Sequence, residues 1–120
     1  MIKRHTTAEK ILEEGGATID FNGLETEFEH GYVVGVKSIV EKQLSNDNKQ
    51  TCKDIDYFHK LLRSGIQSYE YVGYWVDSEK LYVDIVWHVS SFRQAIFLAE
   101  QNNEIAVWDC ANKSNIMIIL

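Results

Sequence analysis

Two runs decide the fold: Ser68-Tyr69-Glu70-Tyr71-Val72-Gly73-Tyr74-Trp75-Val76 and Leu81-Tyr82-Val83-Asp84-Ile85-Val86-Trp87-His88-Val89, joined by Asp77-Ser78-Glu79-Lys80. Both alternate with a period of two and are rich in β-branched and aromatic residues, which predicts an antiparallel hairpin. In the second run Leu81, Val83, Ile85, Trp87 and Val89 share one face and Tyr82, Asp84, Val86 and His88 the other. In the first, Tyr69, Tyr71, Gly73 and Trp75 oppose Val72, Tyr74 and Val76. Neither second face is simply polar, whereas a sheet wetted on one side alternates more cleanly. The opposite face is therefore expected to be covered as well, by a helix or another subunit.

Upstream of the hairpin, Ile55, Phe58 and Leu62 recur at i, i+3 and i+7 with Leu61 alongside. That is one face of a helix, with Thr51 as its N-cap, Asp54 and Asp56 near its start, Lys60 and Arg63 in its last turn and Gly65 as its end. Downstream, Ser91-Phe92-Arg93-Gln94 reads as a capping box, and Phe92, Ala95, Ile96 and Ala99 follow at i, i+3, i+4 and i+7 of a second helix whose small alanines face the sheet. Asn102-Asn103 supplies its left-handed cap. Residues 104–108 and 116–120 read as strands around the turn 109–114.

Near the N-terminus, Thr6-Thr7-Ala8-Glu9 predicts a short helix stopped by Gly15-Gly16. Residues 17–21 alternate as a strand closed by Asn22-Gly23. Residues 25–30 are a partner strand or an irregular edge, and Gly31 to Val36 is strand-like. Residues 39–44 continue that strand or form a helical turn, and 45–50 read as a loop. Strand pairs alternating with helices over short connections predict an α+β domain: a mostly antiparallel sheet with two to three helices packed on one face, one domain over residues 1–120.

Composition limits function. With 12 basic and 18 acidic side chains the formal charge is −6, so the chain is not expected to hold a nucleic acid polymer through a basic surface. No run of about 18 apolar residues suggests a membrane span. Residues 1–7 are followed by no apolar stretch of a secretory signal, and Cys52 and Cys110 are too few and too far apart for a disulfide framework, so the expected location is cytoplasmic. Proline is absent, while three Trp, six Tyr and five Phe make the chain aromatic-rich.

No catalytic signature stands out. His5, His30, His59 and His88 show no ligand-pair spacing, so no metal site is expected. Phosphate-loop, dinucleotide and nucleophile-elbow motifs are missing, and Gly31 and Gly35 read as allowing close backbone packing. No cofactor is expected. Asp77 and Asp109 fit turn chemistry. Asp84, in mid-strand, is open between a functional carboxylate and a satisfied structural one. Arg93 in a first helical turn opposes the dipole, which leaves open an anionic partner or plain solvation. Asn102 and Asn103 can donate and accept to a ligand or act as caps. Trp75 and Trp87 can stack on a base or fill a core or interface.

Gly73-Tyr74-Trp75-Val76-Asp77, Leu81-Tyr82-Val83-Asp84-Ile85, Ala95, Leu98-Ala99 and Asn102-Asn103-Glu104-Ile105-Ala106-Val107-Trp108-Asp109 together resemble a small domain common in phage genomes. Glu104 stands where that pattern has glutamine. Over roughly its C-terminal half the chain is most similar to the first type of Thoeris anti-defence protein, a sponge. The resemblance implies a small, cytosolic, phage-encoded homo-oligomer that sequesters a cyclic ADP-ribose isomer made by a TIR-domain NADase, without cleaving it. It also implies a pocket with a phenylalanine and an asparagine about ten positions apart around the last helix, which Phe92 and Asn102 match. Arg93 and Arg63 are the cations at hand, and Asn103 and Trp75 complete the candidate ligand-binding set. Such a ligand needs an aromatic wall, amides and one or two guanidiniums, which an acidic chain can supply locally.

Two other classes compete. One is a protein-binding phage inhibitor of a host defence complex, anti-CRISPR-like, whose carboxylates would mimic nucleic acid. Glu13-Glu14 and residues 20–29 are a thin version of such a stripe. The other is a phosphodiesterase using Asp84 and His88, which lie four residues apart on one strand face, about 13 Å along it.

Overall fold

The structure is a computed structural model that describes residues 1–44, 47–61, 71–77 and 79–118, without the side chains of Asn48, Leu61 and Asp77. Eight strands and three helices follow in the order β1 (Ile2–Arg4), α1 (Ala8–Glu14), β2 (Gly16–Asp20), β3 (Glu25–Glu27), β4 (Tyr32–Gln43), α2 (Asn48–Leu61), β5 (Tyr71–Asp77), β6 (Lys80–Val89), α3 (Phe92–Gln101), β7 (Ala106–Asp109) and β8 (Ser114–Met117). The strands form one sheet in the order β1-β3-β2-β5-β6-β4-β7-β8, with antiparallel pairing throughout. The fold is α+β, as the patterning predicts.

The β5–β6 hairpin sits at the centre. Asp77 pairs with Lys80, Trp75 with Tyr82, Gly73 with Asp84 and Tyr71 with Val86. Cross-strand partners share a face and neighbours along a strand alternate. Leu81, Val83, Ile85, Trp87 and Val89 therefore point one way. At one end of that row Leu81 and Val83 pack with Val72, Tyr74 and Ile19 against Ala8 and Ile11 of α1 and Cys52 and Ile55 of α2. At the other end Val89 packs with Val34 and Val107 against Ala95 and Ala99 of α3. All three helices thus lie on one face of the sheet. The two alanines are fully buried, and their small side chains let α3 sit close.

Part of the other face is covered from within the chain, by a segment that is not helical. Residues 28–31 cross from β3 to β4 over it. The Phe28 ring stacks on His88 with centroids 3.8 Å apart and meets Tyr71 edge-on at 5.2 Å. His88 Nε2 and the His30 carbonyl oxygen are 2.7 Å apart. Val86, the cross-strand partner of Tyr71, is buried. Trp75, further along β5, is left 36% exposed.

Local chemistry moves several boundaries. α2 begins at Asn48, three residues before Thr51, because Asp47 is the cap: its Oδ1 accepts from the Lys49 amide at 2.9 Å and its carbonyl oxygen from Thr51 N at 3.2 Å. Thr51 is buried inside the helix instead. The expected continuation through Leu62, Arg63 and Gly65, and the hairpin residues 68–70, lie outside the described residues. α1 is capped by Thr7 and not Thr6, with Thr7 Oγ1 accepting from Lys10 N at 3.2 Å, and Gly15 closes it at φ 85°. β4 runs on through residue 43, with shifts of register at Gly35/Lys37 and Ser38/Val40. β1 was not expected; it pairs with β3, and Lys3 Nζ reaches Asp20 at 2.7 Å. The Asp109 carboxylate accepts from the amides of Ala111 and Asn112 and from Asn112 Nδ2, which is the turn role anticipated for it. Among the described residues no helix is long and apolar enough to cross a membrane.

Candidate functional site

α3 carries most of the candidate ligand set at its two ends. Ser91 Oγ accepts from Gln94 N at 3.3 Å and starts the helix. Phe92, its first residue, is 47% exposed and meets Tyr32 of β4 edge-on at 5.5 Å. Arg93 beside it is exposed. Two aromatic residues near this helix are exposed as well: Phe97 on its outer side at 56%, and Trp87 of β6, on the helix-bearing face, at 52%.

At the other end, Asn102 N and Nδ2 both bond the Leu98 carbonyl oxygen, at 3.1 and 2.8 Å. Asn102 is thus the cap, and Asn103, at φ 55°, takes the left-handed position. Both are exposed, and the Asn102 side-chain carbonyl oxygen remains available as an acceptor.

Ten residues of helix separate Phe92 from Asn102, about 15 Å. Within one chain the structure therefore brings Phe92 to Arg93, and Asn102 to Asn103, but not one pair to the other. Trp75 is remote from both. It lies on the face opposite α3, and its partner Tyr82 is seven residues along β6 from Val89, about 23 Å. Arg63 lies outside the described residues.

A second constellation occupies the helix-free face. Asp84 lies between Gly73 of β5 and Ser38 of β4. Burial pushes its carboxyl up to about 6, against the Ser38 hydrogen bond, with Glu41 adding repulsion. Glu104, in the turn between α3 and β7, extends onto the same face, where burial and then the charge of Asp84 push its carboxyl up to about 7. Its Oε1 sits 2.5 Å from where a Cβ on Gly35 would be. Gly35 thus makes room for a side chain, where its sequence suggested close backbone packing.

Asp84 was visible in the sequence as a carboxylate in mid-strand. Glu104 was visible only as a departure from the glutamine of the phage pattern. Asp84 and His88 share a face of β6, but His88 is engaged by Phe28 and His30 and Asp84 by Ser38. Among the described residues no group of three His, Cys, Asp or Glu side chains is placed to hold a metal ion. A cleft of about 70 Å³ lies between α1, α2 and β2, lined by Thr7, Ile11, Ile55, Asp56, His59 and Tyr74 among others. Pockets that enclose small-molecule ligands run to roughly 300–1,000 Å³.

Comparison with family models, with curated proteins and with solved structures yields no match for this chain.

Proposed function

We propose that this chain is a phage-encoded anti-defence protein that binds and sequesters a cyclic ADP-ribose-type signal, without cleaving it, at a site completed by a second copy. The observation that carries the reading is the arrangement of α3. An exposed phenylalanine with an arginine beside it starts the helix, and exposed asparagine amides end it, about 15 Å away. A compact cyclic nucleotide cannot touch both ends of one such helix. It can touch both if the start of one copy's helix meets the end of another's. Exposed Trp87 and Phe97 near the same helix are apolar surface that such an association would bury. The ring would stack on a base, the guanidinium would meet a phosphate, and the amides would read polar edges.

The test is retention. The protein is mixed with cyclic ADP-ribose isomers, freed of unbound ligand and heat-denatured, and the released material is analysed. Intact ligand supports sequestration. A cleaved product would instead make the chain an enzyme, with Asp84 and His88 to be examined first. No retained ligand sinks both readings and leaves the protein-binding inhibitor.

A further inference from the structure

Glu104 joins the end of α3 to the helix-free face of the sheet. Its backbone N–H bonds the Ala99 carbonyl oxygen at 2.9 Å, closing the helix end that carries Asn102 and Asn103. Its carboxyl reaches over Gly35 of β4, into a space that only a glycine leaves open. The side chain is half-buried there, on the same face as half-buried Asp84. A charged carboxylate held out of water on the same face as another carboxylate is costly, and the neutral acid avoids that cost.

The surrounding groups do not relieve that cost. From β4 the face presents Val33, Gly35, Ser38 and Glu41; from β5, Tyr71, Gly73 and Trp75; from β6, Lys80, Tyr82, Val86 and His88; from β7, Ala106 and Trp108. Among these described residues the basic side chains are Lys80 and His88, and Lys3 of β1 also reaches this face, over the Tyr71 ring, where it is bonded to Asp20 at 2.7 Å. Lys80 Nζ is bonded to Glu41 at 2.9 Å, and His88 Nε2 is held by the His30 carbonyl oxygen. Ser38 serves Asp84. Neutralisation of Glu104 therefore falls to its own proton.

We propose that Glu104 is a positioning residue: as a neutral acid its carboxyl stays seated over Gly35 beside Asp84 and fixes the Asn102-Asn103 turn, and loss of its proton releases that turn. Because Asn102 is read above as a ligand contact, an extension that rests on that reading, retention of the nucleotide becomes pH-dependent. The protein grips its ligand below neutral pH and loosens above it. The direction agrees with the upward displacement of the Glu104 carboxyl.

The test begins with the ligand-free full chain. Amide exchange of residues 103–105, corrected for its intrinsic pH dependence, is followed between about pH 6 and about pH 8, along with the carboxyl ¹³C shifts of Glu104 and Asp84. Protection of the turn should fall about tenfold across that range, as a single proton near neutrality requires. Glu104→Gln, which keeps the shape and cannot ionise, should hold the turn protected at both ends. Asp84→Asn should move the Glu104 midpoint down. A wild-type turn indifferent to pH, a Glu104→Gln turn as pH-sensitive as the wild type, or an unmoved midpoint in Asp84→Asn would each overturn the proposal.

Retention of cyclic ADP-ribose is then measured over the same range. It should fall about tenfold in the wild type and stay level in Glu104→Gln. Retention that is present but level in the wild type refutes the coupling. Absence of retention at every pH, with the turn still titrating, refutes the ligand reading and leaves the role of Glu104 in holding the turn intact.

Discussion

The Glu104 carboxyl fills the place a side chain at position 35 would need: a Cβ on Gly35 would stand 2.5 Å from Oε1 and 2.9 Å from the carboxyl carbon. Gly35→Ala must displace the far end of a flexible chain, so Glu104 should swing toward water without the strand being rebuilt. The expected loss of stability is about 1–2 kcal/mol, at the low end for a crowded interior. Urea denaturation measures it. The double variant Gly35→Ala/Glu104→Ala should lose no more than Glu104→Ala alone, since the two changes act on one contact. Full additivity would mean that the two groups do not meet in solution.

Raised carboxyls set the direction of the pH dependence of stability. Asp84 moves from an ordinary 3.8 to about 6 and Glu104 from 4.5 to about 7. Burial and the neighbouring Glu14 raise Glu25 too. The native state thus holds protons that the unfolded chain gives up. Their contribution is complete below their ordinary values and is lost as pH rises through 6 and 7. Asp20, Glu27 and Asp54 run the other way. Lys3 and backbone amides outweigh burial at Asp20, Lys113 lowers Glu27, and Lys42 lowers Asp54. Their contribution is lost only as pH falls below about 4. The melting temperature should therefore peak near about pH 5 and decline toward about pH 8. Asp84→Asn combined with Glu104→Gln should flatten that decline. A melting temperature that climbs steadily from pH 5 to pH 8 would contradict the burial of both groups.

The crossing at residues 28–31 should behave as a built part of the fold. Gly31 stands at φ 81°, and a Cβ there would meet the Val89 carbonyl oxygen at 2.6 Å and His88 Nε2 at 2.7 Å. Gly31→Ala carries both a left-handed strain and a collision with backbone, so a loss of about 2–4 kcal/mol is expected. Phe28→Ala removes the stack on His88 and the edge contact with Tyr71 and should cost about 1–3 kcal/mol, because the ring is only partly enclosed. Chemical denaturation of both variants checks the order. If Phe28→Ala proves harmless, the crossing does not close this face.

The strands of the central hairpin were legible because their period-two pattern is long, and α3 because its cap, its alanines and its terminal asparagines agree. β1 was not legible. Three residues, two of them basic, carry no periodic signal, and their pairing depends on β3 and on Asp20, distant in sequence. The start of α2 was misplaced because Thr51 and Asp47 are both capping residues, and hydrogen bonds to Asp47 decide between them. The second face reads as covered because neither strand of the hairpin is simply polar there, and part of that cover is the segment 28–31. Phe28-Glu29-His30 looks like a polar edge until Gly31 turns it across the sheet. For the candidate site, Phe92 and Asn102 are named only by the family resemblance and not by any periodicity of their own, while the meeting of Glu104 with Gly35 required the sheet to place β4 between β6 and β7.

If one ligand touches Phe92 of one copy and Asn102 of another, two defective variants can restore each other, which no site within a single chain allows. Phe92 is half-exposed, and the Asn102 amide makes one surface hydrogen bond. Phe92→Ala and Asn102→Ala should therefore each stay folded, at a cost of about 1 kcal/mol or less, and each should abolish retention of cyclic ADP-ribose. Co-expressed in equal amounts, the two variants form mixed assemblies. A shared site is intact wherever a copy with its phenylalanine meets a copy with its asparagine, about a quarter of all sites on random assortment. Retention should then return to about that fraction. If each site lay within a single chain, every chain in the mixture would remain defective and retention would stay at zero. Equal retention by both single variants and the wild type would remove the two residues from the site altogether.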